Sequence, residues 1–227
     1  MSSSRGKKAA IPSSKRRRGP GRCIDWDAVE QVQLADAIRA LLSTDPWERF
    51  FTITEPTYLE LTLELCSTFH LQVVMTNNDD LDTIHFRLGS LVRAMSVLEF
   101  GVVLGLYTDE FMEEKDMNAL PRNINISPFL CWKALALLSS TYNPSRSKAL
   151  ALPPSLRYLH ATLVHTLTER RESTDVVNTY DPYYLWCMAN AHVTDLAYFI
   201  AFAIHHQTER HRKGERVDDG PNEVSHW

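Results

Sequence analysis

Residues 153–167 read PPSLRYLHATLVHTL. The leading prolines suit a first helical turn, where the missing amide hydrogen would have had no intrahelical partner. Behind them Leu156, Leu159, Leu163 and Leu167 recur at spacings of three and four, one face of an α-helix. The same period runs through most of the chain. The expectation is a mainly α protein, a multi-helix globular domain with a small β-hairpin.

Towards the C-terminus, residues 169–179 read as a polar loop, followed by helices over about Asp181–Asn190 and Val193–Arg212. Arg210, His211, Arg212 and Lys213 suit a helix C-terminus, where cations face the negative end of the dipole. After Gly214, Glu215–Trp227 is polar and aperiodic and reads as a disordered tail.

Towards the N-terminus, an apolar helix should start at Ser127 or Pro128 and run to Ser139, broken by Tyr142-Asn143-Pro144-Ser145. Asp109–Asp116 reads as a short exposed helix or loop. Ser96-Val97-Leu98-Glu99 has the spacing of a capping box, predicting a helix from about Val97 to Leu104 closed by Gly105. Leu71–Met75 and Thr83–Leu88 flank the polar run Thr76–Asp82 and read as two strands of a hairpin with a long loop. Pro56 fits the first position of a helix carrying Tyr58, Leu61, Leu65 and Phe69 in one stripe. Trp47–Ile53 reads as a short aromatic connector, open to an extended conformation. Asp25 is a candidate N-cap, and Val29, Val32, Ala35, Ile38 and Leu42 predict one helix over Trp26–Ser43, stopped by Asp45-Pro46.

The chain has 227 residues, 44% of them hydrophobic, enough for a real core, and residues 23–213 read as a single domain. Eight glycines and eleven prolines are too few for the turns of a sandwich or barrel. The longest apolar runs, Ala134–Leu138 and Leu196–Ile204, fall far short of the ~20 residues that span a bilayer. No secretory signal follows Met1. Cys23, Cys66, Cys131 and Cys187 are widely spaced with no C-x-x-C pair, so free core cysteines and a reducing compartment are expected.

Motifs for chemistry are sparse. The glycine-rich phosphate loops, the nucleophile elbow and the H-E-x-x-H zinc motif are all absent. His160 and His165 are five apart and do not share a helix face, and His205 and His206 are adjacent. No metal site and no cofactor are expected. Asp79, Asp80 and Asp82 resemble a cation loop only loosely, and a solvated hairpin loop is the plainer account. Arg170-Arg171-Glu172-Ser173-Thr174-Asp175 could contact phosphate or peptide, although a helix-joining loop is again plainer. Cys187, His192 and Asp195 are the residues an enzyme would use, and the reading is non-enzymatic.

The strongest signal is electrostatic. Residues 1–22 hold eight of the 24 Lys and Arg residues and no acidic one. The remainder therefore has 16 basic against 28 acidic residues, a net charge of −12. Such a body repels phosphate within a Debye length of roughly 8 Å, so contact with RNA or DNA is expected through a disordered basic arm. Within it Lys7, Lys8, Lys15, Arg16, Arg17 and Arg18 have the pattern of a nuclear import signal, which calls for an import receptor. The same six residues could neutralise phosphates without sequence preference. A solubilising tail is the bland alternative, and an acidic membrane surface a weaker one.

Phe51–Phe69, FTITEPTYLELTLELCSTF, is followed by Ile84–Leu88, by Met95–Gly101 and by Leu104–Tyr107. Together with LRYLHATLVHTLTERREST and YYLWCMANAHVTDLAYFIAFAIHHQTERHRKG, these strings resemble the C-terminal part of the first-open-reading-frame protein of Athila-type plant retrotransposons, a gag-related family. The resemblance covers roughly residues 45–213. It implies a retroelement-derived, nuclear-associated plant protein, a capsid-like or RNA-packaging component with the capacity to self-associate, and it carries over no catalytic residue. Two features depart from the pattern. A zinc knuckle, C-x-x-C-x-x-x-x-H-x-x-x-x-C, is absent, and the apolar continuation expected after His205–Gly214 is replaced by Glu215–Trp227, as in a truncated copy. The resulting expectation is a gag-like interaction protein of the nucleus with a cytoplasmic pool. The alternative is a host-acquired nuclear regulatory module that binds protein partners through its helical body.

Overall fold

The computed structural model describes residues 24–52, 59–72, 82–137, 139, 141–144, 146–167 and 175–218. Helices dominate, and a small antiparallel sheet sits among them.

Asp25 caps the first helix as expected, its carboxylate accepting from the Ala28 amide at 3.1 Å. The expected single helix over Trp26–Ser43 is two: α1 (Trp26–Gln31) and α2 (Ala35–Leu41). Gln33 takes a left-handed conformation with φ 57°, and the Gln33 and Leu34 amides donate back to the Glu30 and Val29 carbonyls. That is a Schellman ending with glutamine where glycine is usual. The break turns Val32 out of the apolar stripe and leaves it 61% exposed, while Val29, Ile38 and Leu42 stay buried. The aromatic connector is also a helix, α3 (Trp47–Thr52). Trp47, Phe50 and Phe51 lie at i, i+3 and i+4, and burying all three on one face overrides their extended preference.

After α4 (Leu59–Thr68) the chain forms three strands, not two: β1 (His70–Gln72), β2 (Thr83–Leu88) and β3 (Leu91–Ser96), in the order β1-β2-β3. Gly89 and Ser90 link β2 to β3 with φ 58° and 67°, the two positive values of a type I′ turn. The capping box at Ser96 and Glu99 is present and starts α5 (Val97–Val103). Gly105, at φ 70°, follows it. Thr108 caps the short acidic helix α6 (Asp109–Glu114).

Helix α7 (Pro128–Leu135) ends before the expected Ser139, and α8 (Pro154–Thr166) starts at its second proline. Leu156, Leu159, Leu163 and Leu167 are all buried. Helix α9 (Asp181–Ala189) packs on both α7 and α8. Helix α10 (Leu196–Asp218) packs against α4, α5 and β1. It continues past Gly214 to Asp218, so the cationic run at Arg210–Lys213 lies inside the helix, and residues 215–218 are helical where a disordered tail was expected. There Arg212 pairs with Glu209 at 3.1 Å and donates to the Ser67 carbonyl on α4. Among the described residues no helix is long and apolar enough to cross a membrane.

Candidate functional site

The six arm residues, Lys7, Lys8, Lys15, Arg16, Arg17 and Arg18, lie outside the described residues, as do Asp79, Asp80 and residues 168–174.

A polar clasp joins four distant parts of the chain. Asp195, just before α10, is buried, and its Oδ1 accepts from the Tyr107 hydroxyl at 2.7 Å and from the Tyr198 amide at 3.0 Å. Its Oδ2 accepts from Arg122 Nε at 2.8 Å. Arg122 Nη1 reaches Asp82 Oδ2 at 3.4 Å. The Tyr107 oxygen in turn accepts from the Ala197 amide at 3.0 Å. Burial, then the Asp195 charge, holds the Tyr107 hydroxyl well above its usual pKa, so it stays a donor. Gly101 on α5 makes room for that ring: a Cβ there would sit 2.3 Å from Tyr107 Cε2. Asp82, expected in a solvated loop, is buried instead, and its carbonyl accepts from the Val97 amide at the start of α5. The clasp is therefore a joint that locks the sheet and α5 to the N-terminus of α10. Sequence reading passed over Arg122 and Tyr107. The available signal was a lone arginine after Pro121 in an uncharged connector of an acidic body.

A second buried pair ties α8 to α9. His160 Nε2 lies 3.0 Å from Asp181 Oδ2, and both side chains are fully enclosed. The same oxygen accepts from the Asn178 amide at 2.8 Å. Nε2 therefore carries the proton, and Nδ1 has no hydrogen-bond partner among the described residues.

Cys187, His192 and Asp195 do not converge into a nucleophile, base and orienter. Burial pushes the Cys187 thiol up to about 12, so it holds its proton. The His192 ring packs against Trp186 and Tyr183, and both Asp195 oxygens are engaged in the clasp. Cys131 is buried too and is pushed up to about 11. Cys131 and Cys187 are free thiols inside the core, as expected, while Cys66 is half-buried. Near the sheet, His205 Nδ1 accepts from the Leu71 amide at 3.3 Å, and its ring lies 5.0 Å from that of His70. Among the described residues no three His, Cys, Asp or Glu side chains gather as metal ligands would.

A groove of about 720 Å³ lies between β3 and α5. Phe86, Met95, Leu98, Val102 and Val103 make it apolar, and the exposed Arg93 and Glu99 add one charge of each sign. Its lining includes no nucleophile and no histidine. No protein-family model, no curated protein and no solved structure matches the chain.

Proposed function

We propose that the chain is a non-enzymatic, gag-like interaction protein of retrotransposon origin that enters the nucleus and touches nucleic acid through its basic N-terminal segment. One observation carries the reading: eight cations and no acid in residues 1–22, ahead of a sequence with net charge −12. The cationic segment supplies the counterion release that drives non-specific binding, and the acidic body is left for protein contacts. Its buried polar groups support this, because they are spent on joints between elements.

Deleting residues 1–22 should abolish RNA retention in a low-salt filter assay and exclude a fluorescent fusion from the nucleus. Undiminished retention by the deleted form would remove the proposal.

A further inference from the structure

We propose that two copies of this chain pair antiparallel along β3, each seating the other in the groove between β3 and α5. This gives a partner to the protein contacts that the proposed function leaves to the body, and it rests on body residues alone.

Around a two-residue I′ turn the flanking residues Leu88 and Leu91 form a hydrogen-bonded pair, and the pattern then alternates along the register. Two further bonds confirm the phase: the Val97 amide donates to the Asp82 carbonyl on the β3 side, and the Arg87 amide donates to Thr68 Oγ1 on the β1 side. Leu91, Arg93 and Met95 therefore bond to β2, and Val92 and Ala94 turn their N–H and C=O groups outward. No hydrogen bond to those four groups exists among the described residues. At Ser96 the outward amide is already taken by Glu99 Oε2 at 2.7 Å.

The opposite edge is closed. β1 is three residues long, α10 packs against it, and its outward Leu71 amide is occupied by His205. Over Val92–Ala94, β3 carries none of these protections. Leu91 is 56% exposed and Val92 is 73% exposed, and Val103 of α5, in the groove lining, is 72% exposed.

The identity of the occupant follows from chemistry. The four open groups are centred on Arg93, so a two-fold related β3 satisfies all of them at once, Val92 bonding to the partner copy's Ala94 and the reverse. Arg93 makes no ion pair among the described residues, and Glu99 lines the same groove. Two copies bring two Arg93 cations against two Glu99 anions, a neutral cluster that offsets the repulsion of like charges at the axis. Residues 1–22 are a poor occupant, since Ile11 is their one large aliphatic residue after Met1.

Light scattering on the full chain tests this, with expected assembly at twice the 26.0 kDa chain mass. Val92→Pro removes an outward N–H while sparing the ladder to β2, and should weaken the dimer at least ~10-fold with unchanged far-UV circular dichroism. Val103→Lys, which leaves the strand intact, should weaken it as well. Arg93→Cys should crosslink to itself under mild oxidation, because a non-hydrogen-bonded pair places the two Cα atoms about 4.5 Å apart. With Cys23 and Cys66 changed to serine in both chains, the chain that keeps Arg93 should not crosslink, as its remaining cysteines, Cys131 and Cys187, are buried. Deleting residues 1–22 should leave the dimer in place, so loss of RNA binding and loss of pairing report on separate claims. A monomer at ~100 µM, or a dimer indifferent to both Val92→Pro and Val103→Lys, would overturn the inference. So would a dimer that dissolves in roughly 0.5 M salt, the signature of a cationic arm resting on an acidic body.

Discussion

Arg122 donates from Nε to Oδ2 of the buried Asp195 at 2.8 Å, joining residues 73 positions apart. Through Arg122 the carboxylate is also linked to Asp82, one residue ahead of β2. The two strand-bearing and helix-bearing parts of the body meet at this guanidinium. Removing it leaves the buried Asp195 carboxylate without its cation.

Arg122→Ala should therefore destabilise the fold by about 3 kcal/mol, the lower end for a broken buried pair because Arg122 itself is 26% exposed. Urea unfolding at neutral pH reads the change, and a loss below ~1 kcal/mol would place the joint elsewhere.

Gly101→Ala should be costly for a different reason. The added methyl carbon would meet the Tyr107 ring at 2.3 and 2.4 Å and the Ala197 methyl at 3.0 Å. Tyr107 is held at its hydroxyl by Asp195 and Ala197 and has no room to retreat. A cost of about 3 kcal/mol or more is expected, at the upper end for overpacking, and thermal unfolding would show it. Gly89→Ala, where open space surrounds the site, should cost less, from its positive φ alone.

The pH dependence near neutrality should reside partly in His205. Burial, reinforced by the His70 imidazole, lowers its pKa below the ordinary 6.5, and its Nδ1 must remain unprotonated to accept the Leu71 amide. Between the folded and unfolded values the unfolded chain binds the extra proton, so stability rises with pH across that window and is lost as pH falls from 6.5. His205→Gln keeps an acceptor and should flatten this part of the stability profile. An unchanged slope would show that another group titrates there.

Much of the helical architecture was legible because burial on one face imposes a 3.6-residue period, as Leu156, Leu159, Leu163 and Leu167 show. The α5 start was legible for a local reason, a serine and a glutamate three apart that satisfy each other's orphan amides. The break at Gln33 was not, since a left-handed glutamine has no mark that glycine would leave. β3 went unread although Gly89-Ser90, a two-residue hairpin connection, lies between Leu88 and Leu91. Val92 and Ala94 lack polar side chains on their exposed face, so the strand shows no apolar-polar alternation. Periodicity is also silent about the clasp, because Asp82, Tyr107, Arg122 and Asp195 come together only through the tertiary fold. The charge of residues 1–22 needs no fold and is read directly from composition.

The division between a cationic leader and an acidic body is tested most directly by RNA affinity measured against salt. For the full chain the log–log plot should fall steeply, with a slope of about −0.7 for each phosphate neutralised on a single strand. A chain with Lys15, Arg16, Arg17 and Arg18 all changed to alanine should bind far more weakly and with a shallower slope. Equal affinity and equal slope for the two chains would contradict the account, since binding would then have to come from the net-negative remainder.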